Sequence, residues 1–120
     1  MESIYGQCPF ATTQKVLQGK WAIVVLYQLS TGTKRFNELE KLIPEVSRPV
    51  LTRQLRQLEK DKLIVRKVYA EVPPRVEYSL SPLGDKFKKV LEEIEIFGLD
   101  YINELEKVHC KMNLHTLKTE

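Results

Sequence analysis

Along the chain the hydrophobic positions keep a helical period as far as Leu63, switch to a period of two up to Ser81, and return to helical spacing until about Val108. A short first helix is expected from about Ala11 to Leu17, with Val16 and Leu17 as its apolar contribution and Gly19 after its end. A second, opening at Lys20, carries Trp21, Val24, Val25 and Leu29 at helical spacing, and its apolar density predicts a core helix covered on most sides. Thr31-Gly32-Thr33 is a turn, and from Arg35 or Phe36 a third helix sets Phe36, Leu39, Leu42 and Ile43 on one face until Pro44 stops it. After a connection of about three residues, Leu51, Leu55 and Leu58 recur at steps of four and three, which stacks them on one side of a fourth helix. Ser47 is its expected N-cap, with Pro49 in the first turn; Arg48 precedes a proline and resists αR geometry, so the start is fixed only to within a residue or two.

The period of two then predicts a β-hairpin. IVRKVYA and RVEYSLS are its strands, Val76, Tyr78 and Leu80 facing one way and Glu77 and Ser79 the other. Pro73-Pro74 cannot donate ladder hydrogen bonds and belongs at the tip, which puts Arg75 at or beside a stiffened, exposed loop. Helix, short turn, helix and hairpin together make a winged helix-turn-helix: an α+β, mostly α fold with a two-stranded wing. Ser81-Pro82 starts a long last helix whose apolar stripe (Leu83, Phe87, Val90, Leu91, Ile94, Phe97, Tyr101, Ile102, Leu105, Val108) exceeds what so small a domain can cover alone. Part of it is therefore expected to bury against a second copy, and Phe87, Val90, Leu91, Ile94, Phe97, Tyr101 and Leu105 are the candidate dimer interface. The alternative is a helix packed only within its own monomer. The segment from Cys110 onward is weakly patterned and is expected to fray.

The chain of 120 residues has room for one domain. Within it the helix-turn-helix occupies about residues 35–62, the wing about 63–81 and the last helix about 82–108. With 42% hydrophobic and 29% charged residues the composition is that of a folding globular chain. Its net charge of +3 is modest but unevenly placed. Between Ser47 and Arg75, eight cations face three anions, a local +5 that leaves −2 for the remainder. Such local concentration is what binding to phosphates requires, because screening confines the field to roughly 8 to 10 Å. The last helix is acidic, with seven carboxylates against four lysines between Leu83 and Val108, and is expected to lie away from a nucleic acid. The N-terminus lacks a basic start followed by an apolar core, and no run reaches the roughly 18 to 20 apolar residues that span a bilayer. A cytoplasmic protein without a membrane partner is expected, and with it no structural disulfide between Cys8 and Cys110.

The candidate chemistry lies on the fourth helix, opposite its leucines. Arg53, Arg56 and Gln57 are the expected readers of base edges, since arginine can bond bidentately to guanine and glutamine to adenine. Arg48 and Thr52 sit nearer the helix start, where base and phosphate contacts are both open to them. Lys34, Arg35 and Lys67 are expected phosphate anchors, and Arg75 at the wing can enter a minor groove or bond the backbone. The competing reading of every one of these cations, Lys60 and Lys67 above all, is a solvated surface charge.

Five segments carry a resemblance to a known family: CPF at Cys8–Phe10, QGKW at Gln18–Trp21, RFNEL at Arg35–Leu39, the S-x-x-x-L-T-x-x-L-x-x-L-E run at Ser47–Glu59, and VPPRVEYSLSPLG at Val72–Gly84. In their order and spacing they resemble the HxlR-type winged helix-turn-helix transcription regulators, over about residues 8–108. The resemblance implies a bacterial or archaeal homodimer bound to double-stranded DNA, with dimer contacts from N- and C-terminal helices. It also implies a major-groove recognition helix and wings that touch flanking DNA. Some members sense oxidants or electrophiles through the cysteine that Cys8 matches, which makes Cys8 a candidate redox sensor; the alternative is a small buried apolar residue. Two departures are visible. Lys62 stands where the family turns with glycine, and Phe97-Gly98 where it often has Trp-Gly.

Other classes find less support in the residues. No Gly-rich phosphate loop, nucleophile elbow or metal-ligand cluster is present, so neither an enzyme nor a cofactor is expected. His109, Cys110 and His115 are close in sequence but match no known ligand spacing. A winged-helix module for protein contacts alone remains open, as does a regulator controlled by a small apolar ligand in a crevice beside the dimer helices.

Overall fold

The computed structural model describes residues 4–119, with side chains described for residues 4–107. In chain order the elements are α1 (Pro9–Val16), α2 (Ala22–Ser30), β1 (Lys34–Arg35), α3 (Phe36–Leu42), α4 (Arg48–Lys60), β2 (Ile64–Tyr69), β3 (Arg75–Leu80), α5 (Pro82–Lys86) and α6 (Lys88–Thr119). They form two compact units, one up to Lys88 and one from Lys89 onward.

The core of the first unit is made where leucine stripes converge. Leu51, Leu55 and Leu58 of α4 meet Val25, Leu26 and Leu29 of α2 and Leu39 and Ile43 at the end of α3, all at most 3% exposed. Each such side chain contributes roughly 1.5 to 3 kcal/mol when removed from water. Strand β3 lies between β1 and β2 in an antiparallel sheet, with Lys34 opposite Tyr78 and Val68 opposite Val76. The wing is thus the predicted hairpin joined by a third, two-residue strand that the sequence reading placed in a turn and helix start. On β3, Tyr78 is buried, while Val76 and Leu80 on its expected side and Glu77 and Ser79 on the other are all half-buried.

Several boundaries differ from expectation, each for a local reason. Helix α1 starts at Pro9, whose missing amide is harmless in a first turn, rather than at Ala11. Helix α2 opens at Ala22 rather than Lys20, because Gly19 sits at φ +101° and Trp21 is the N-cap. Its core face is Ala22, Val25, Leu26 and Leu29; Ile23, Val24 and Tyr27 are exposed, and Trp21 is only half-covered. The helix is therefore packed on one side, not on most. On α3, likewise, Leu42 is exposed while Leu39 and Ile43 are buried.

The expected single helix from Ser81 is two helices. Ser81 caps α5 by accepting from the Gly84 amide at 2.9 Å, while its hydroxyl donates to the Lys62 carbonyl at 2.6 Å. A Cβ on Gly84 would fall on the Leu63 carbonyl oxygen, so α5 is pressed against the corner that follows α4. The Phe87 amide then bonds the Gly84 carbonyl three residues back, at 2.9 Å, closing α5 before α6 begins at Lys88. Helix α6 continues to Thr119, past the end expected near Val108 and through the segment expected to fray.

Candidate nucleic-acid interface

Helix α4 begins as its sequence indicates. Ser47 is extended and its hydroxyl accepts from the Val50 amide at 3.4 Å, while Arg48 and Pro49 take the first two helical positions. With Leu51, Leu55 and Leu58 buried beneath, the positions at steps of four, three and four on the opposite side, Pro49, Arg53, Arg56 and Lys60, stand exposed. Thr52 and Gln57 flank this ridge and are half-buried. The ridge is a row of cations on a backbone that cannot roll without exposing three leucines.

The remaining candidates are held in more particular ways. Arg48 lies 5.1 Å over the Phe36 ring and its Nε stands 3.4 Å from Glu40 Oε2, tying the start of α4 to α3; being 70% exposed, the ion pair is worth little by itself. Gln57 donates from Nε2 to Asp61 Oδ2 at 2.9 Å, so bidentate bonding to adenine requires that bond to be exchanged. Lys34 donates from Nζ to Thr31 Oγ1 at 3.0 Å and to the Gly32 carbonyl at 3.1 Å, closing the turn before β1. The Arg35 amide donates to Glu38 Oε1 at 2.9 Å to start α3, leaving the guanidinium exposed.

On the wing, Lys67 is exposed, its ammonium 4.8 Å from the Tyr69 ring. Arg75 is folded back on the same ring at 3.8 Å, with Nη2 3.2 Å from Glu71 Oε1 and Nε 3.8 Å from Glu77 Oε2. It opens β3 and is part of the wing's packing, rather than a free cation at the tip. Arg66 is exposed on β2 beside Lys67, a position the sequence reading counted as charge without assigning it a role.

A groove of about 490 Å³ runs beside the ridge, between the Gln18–Trp21 corner and α4. It is lined by Gln18, Gly19, Lys20 and Trp21 on one wall and Val50, Arg53, Gln54 and Gln57 on the other. Sequence reasoning passed over it because it treated Lys20 as a helix start; the available signal was a glycine followed by a cation and an aromatic at a corner.

Cys8 is the N-cap of α1 and a free, half-buried cysteine. Of the candidate dimer residues, Val90, Phe97, Tyr101 and Leu105 are exposed, Phe87 and Ile94 half-buried and Leu91 buried. His109, Cys110 and His115 lie outside the residues whose side chains are described. No helix among the described residues is long and apolar enough to cross a membrane.

Comparison with known proteins points the same way. The sequence model of the HxlR-like helix-turn-helix family matches residues 16–106. The uncharacterized HTH-type transcriptional regulator YdeP of Bacillus subtilis (strain 168) is 44% identical over 103 residues, which are 86% of this chain and 80% of that protein. Among solved structures, the redox regulator HypR in its reduced form superposes with a TM-score of 0.78 at 37% identity, over 83% of this chain and 99% of that one. The reduced form of the transcriptional regulator YodB from B. subtilis gives a TM-score of 0.67 at 29% identity, over 76% of this chain and 90% of that one.

Proposed function

The chain belongs to the HxlR-like helix-turn-helix family, and from that premise we propose that this DNA-binding transcription regulator works as a cytoplasmic homodimer on an inverted-repeat operator. The observation that carries the reading is the α4 ridge: Arg53 and Arg56 exposed directly above leucines at most 1% exposed. A rigid helix with cations on its outer side fits a major groove. Arg53, Arg56 and Gln57 read base edges; Arg48 and Thr52 bond bases or backbone near the helix start. Lys34, Arg35 and Lys67 bond phosphates, and Arg75, packed on Tyr69 between Glu71 and Glu77, shapes the wing that lies beside the backbone. The dimer forms through Phe87, Val90, Ile94, Phe97, Tyr101 and Leu105, Leu91 being already buried in a single copy, and sets two recognition helices about 34 Å apart. The protein is not an enzyme.

Selection of bound sequences from a random duplex pool tests this reading. The expected result is two related half-sites in inverted order, centred about one helical turn apart. Selected pools with no enriched sequence, or with a single asymmetric site, would remove it.

The redox relatives favour one mode of control, through Cys8. Diamide takes two electrons and two protons from a pair of thiols, leaving a disulfide and the reduced hydrazine. Cys8 supplies one thiol, and Cys8 of the second copy supplies the other. Operator affinity should fall on diamide treatment of the parent and not of Cys8→Ser. An equal response of parent and Cys8→Ser would exclude Cys8.

A further inference from the structure

The groove beside the α4 ridge has the makings of a second kind of contact. Gln54, 6% exposed on the recognition helix, donates from Nε2 to the Gln18 carbonyl at 3.1 Å. Gly19 follows with φ +101°, and a Cβ there would run into Gln54 Oε1. The corner is thereby fastened to α4 by a nearly buried side chain and moves with it. Directly after it stands Lys20, exposed, with its ammonium 5.3 Å from the Trp21 ring that forms the groove wall. Arg53 stands on the facing wall. No carboxylate lines the groove, and among the described residues neither Lys20 nor Arg53 has an acidic partner.

We propose that this groove seats a phosphate of the DNA backbone, with Lys20 as its principal cation and Arg53 shared between phosphate and bases. This rests on the DNA-binding reading above. When the ridge at residues 49, 53, 56 and 60 enters a major groove, the flank carrying Val50 and Gln57 turns toward one wall of that groove, which is a phosphate chain. Two cations that face each other across an open cleft, with no carboxylate between them, suit a diester anion. Because the corner is locked to α4 by Gln54, a phosphate seated there fixes how far the recognition helix slides along the groove. Lys20 then supplies register and affinity, not sequence preference.

The test is the salt dependence of duplex binding by the parent and by Lys20→Gln, Lys20→Arg and Lys107→Gln, on the selected operator and on mixed-sequence DNA. Lys107 is an exposed lysine of α6 and controls for loss of one unit charge. Expected for Lys20→Gln is weaker binding to both duplexes by the same factor, with the slope of log K against log salt reduced in magnitude by about 0.9, as for one lost phosphate contact. Lys20→Arg should keep the parental slope, and Lys107→Gln should match the parent. If Lys20→Gln behaves as Lys107→Gln does, or changes sequence preference at constant slope, the groove holds no phosphate while the DNA-binding reading stands. A parent that binds no duplex overturns that reading instead.

Discussion

Lys62 stands at φ +67°, a left-handed conformation that suits glycine and that L side chains avoid. The geometry is a Schellman end to α4: the Lys62 amide donates to the Glu59 carbonyl at 3.0 Å and the Leu63 amide to the Leu58 carbonyl at 3.0 Å. At the departure visible in the sequence, a lysine thus occupies a turn whose backbone conformation suits glycine. Lys62→Gly should relieve the Cβ clash, which is offset in part by the extra freedom of glycine in the unfolded chain. A net gain of about 0.5 to 1 kcal/mol in urea denaturation is expected. A loss of stability would mean that the lysine side chain makes an interaction outweighing the strain. For DNA, the residue scale separates readers from anchors. Arg56→Ala should lower affinity for the selected operator by about 1 to 3 kcal/mol and relax preference at one base pair. Lys67→Ala should weaken every duplex alike. Titration of operator and mixed-sequence DNA with both variants checks this, and identical profiles would erase the distinction.

Among the elements, α4 was the most legible in sequence because its local signals agree: a cap at Ser47, a proline in the first turn, and leucines in a stripe opposite cations. The elements that escaped are those made by tertiary contact. Strand β1 is two residues, Lys34 and Arg35, too short to show any alternation; only its pairing with Tyr78 and Glu77 makes it a strand. The break between α5 and α6 arises where Gly84 is pressed on the Leu63 carbonyl, a contact with no counterpart in the spacing of Phe87, Val90 and Leu91. The face of α2 was misplaced because nearly every position in AIVVLYQLS is apolar, so the period carried no phase. In α6, by contrast, the sequence expected surplus apolar surface, and Ile96, Phe97, Leu99, Tyr101, Ile102 and Leu105 are between 50% and 68% exposed. Phe97 and Tyr101, with ring centroids 6.1 Å apart, sit within that surface. If a second copy covers it, Phe97→Glu with Tyr101→Glu should turn a dimer into a monomer in sedimentation equilibrium while far-ultraviolet circular dichroism stays helical. A double variant that still sediments as a dimer would move the interface elsewhere.

At the scale of the whole molecule, one copy presents a ridge only four residues long at its outer row, Pro49, Arg53, Arg56 and Lys60, enough for a few base pairs. On the proposed dimer, a second copy would supply the missing specific affinity, because joining two half-sites makes the second contact intramolecular at high effective concentration. That gain exists only if the spacing between half-sites matches the spacing between recognition helices. Inserting five base pairs at the centre of the operator turns one half-site to the opposite side of the duplex, since a helical turn takes about 10 to 10.5 base pairs. The parent should then bind no better than to an isolated half-site, whereas the Phe97→Glu, Tyr101→Glu variant should bind both operators equally, having nothing to align. Parental affinity that survives the insertion would mean that the two reading helices are not held at a fixed separation, and that specificity comes from a single copy.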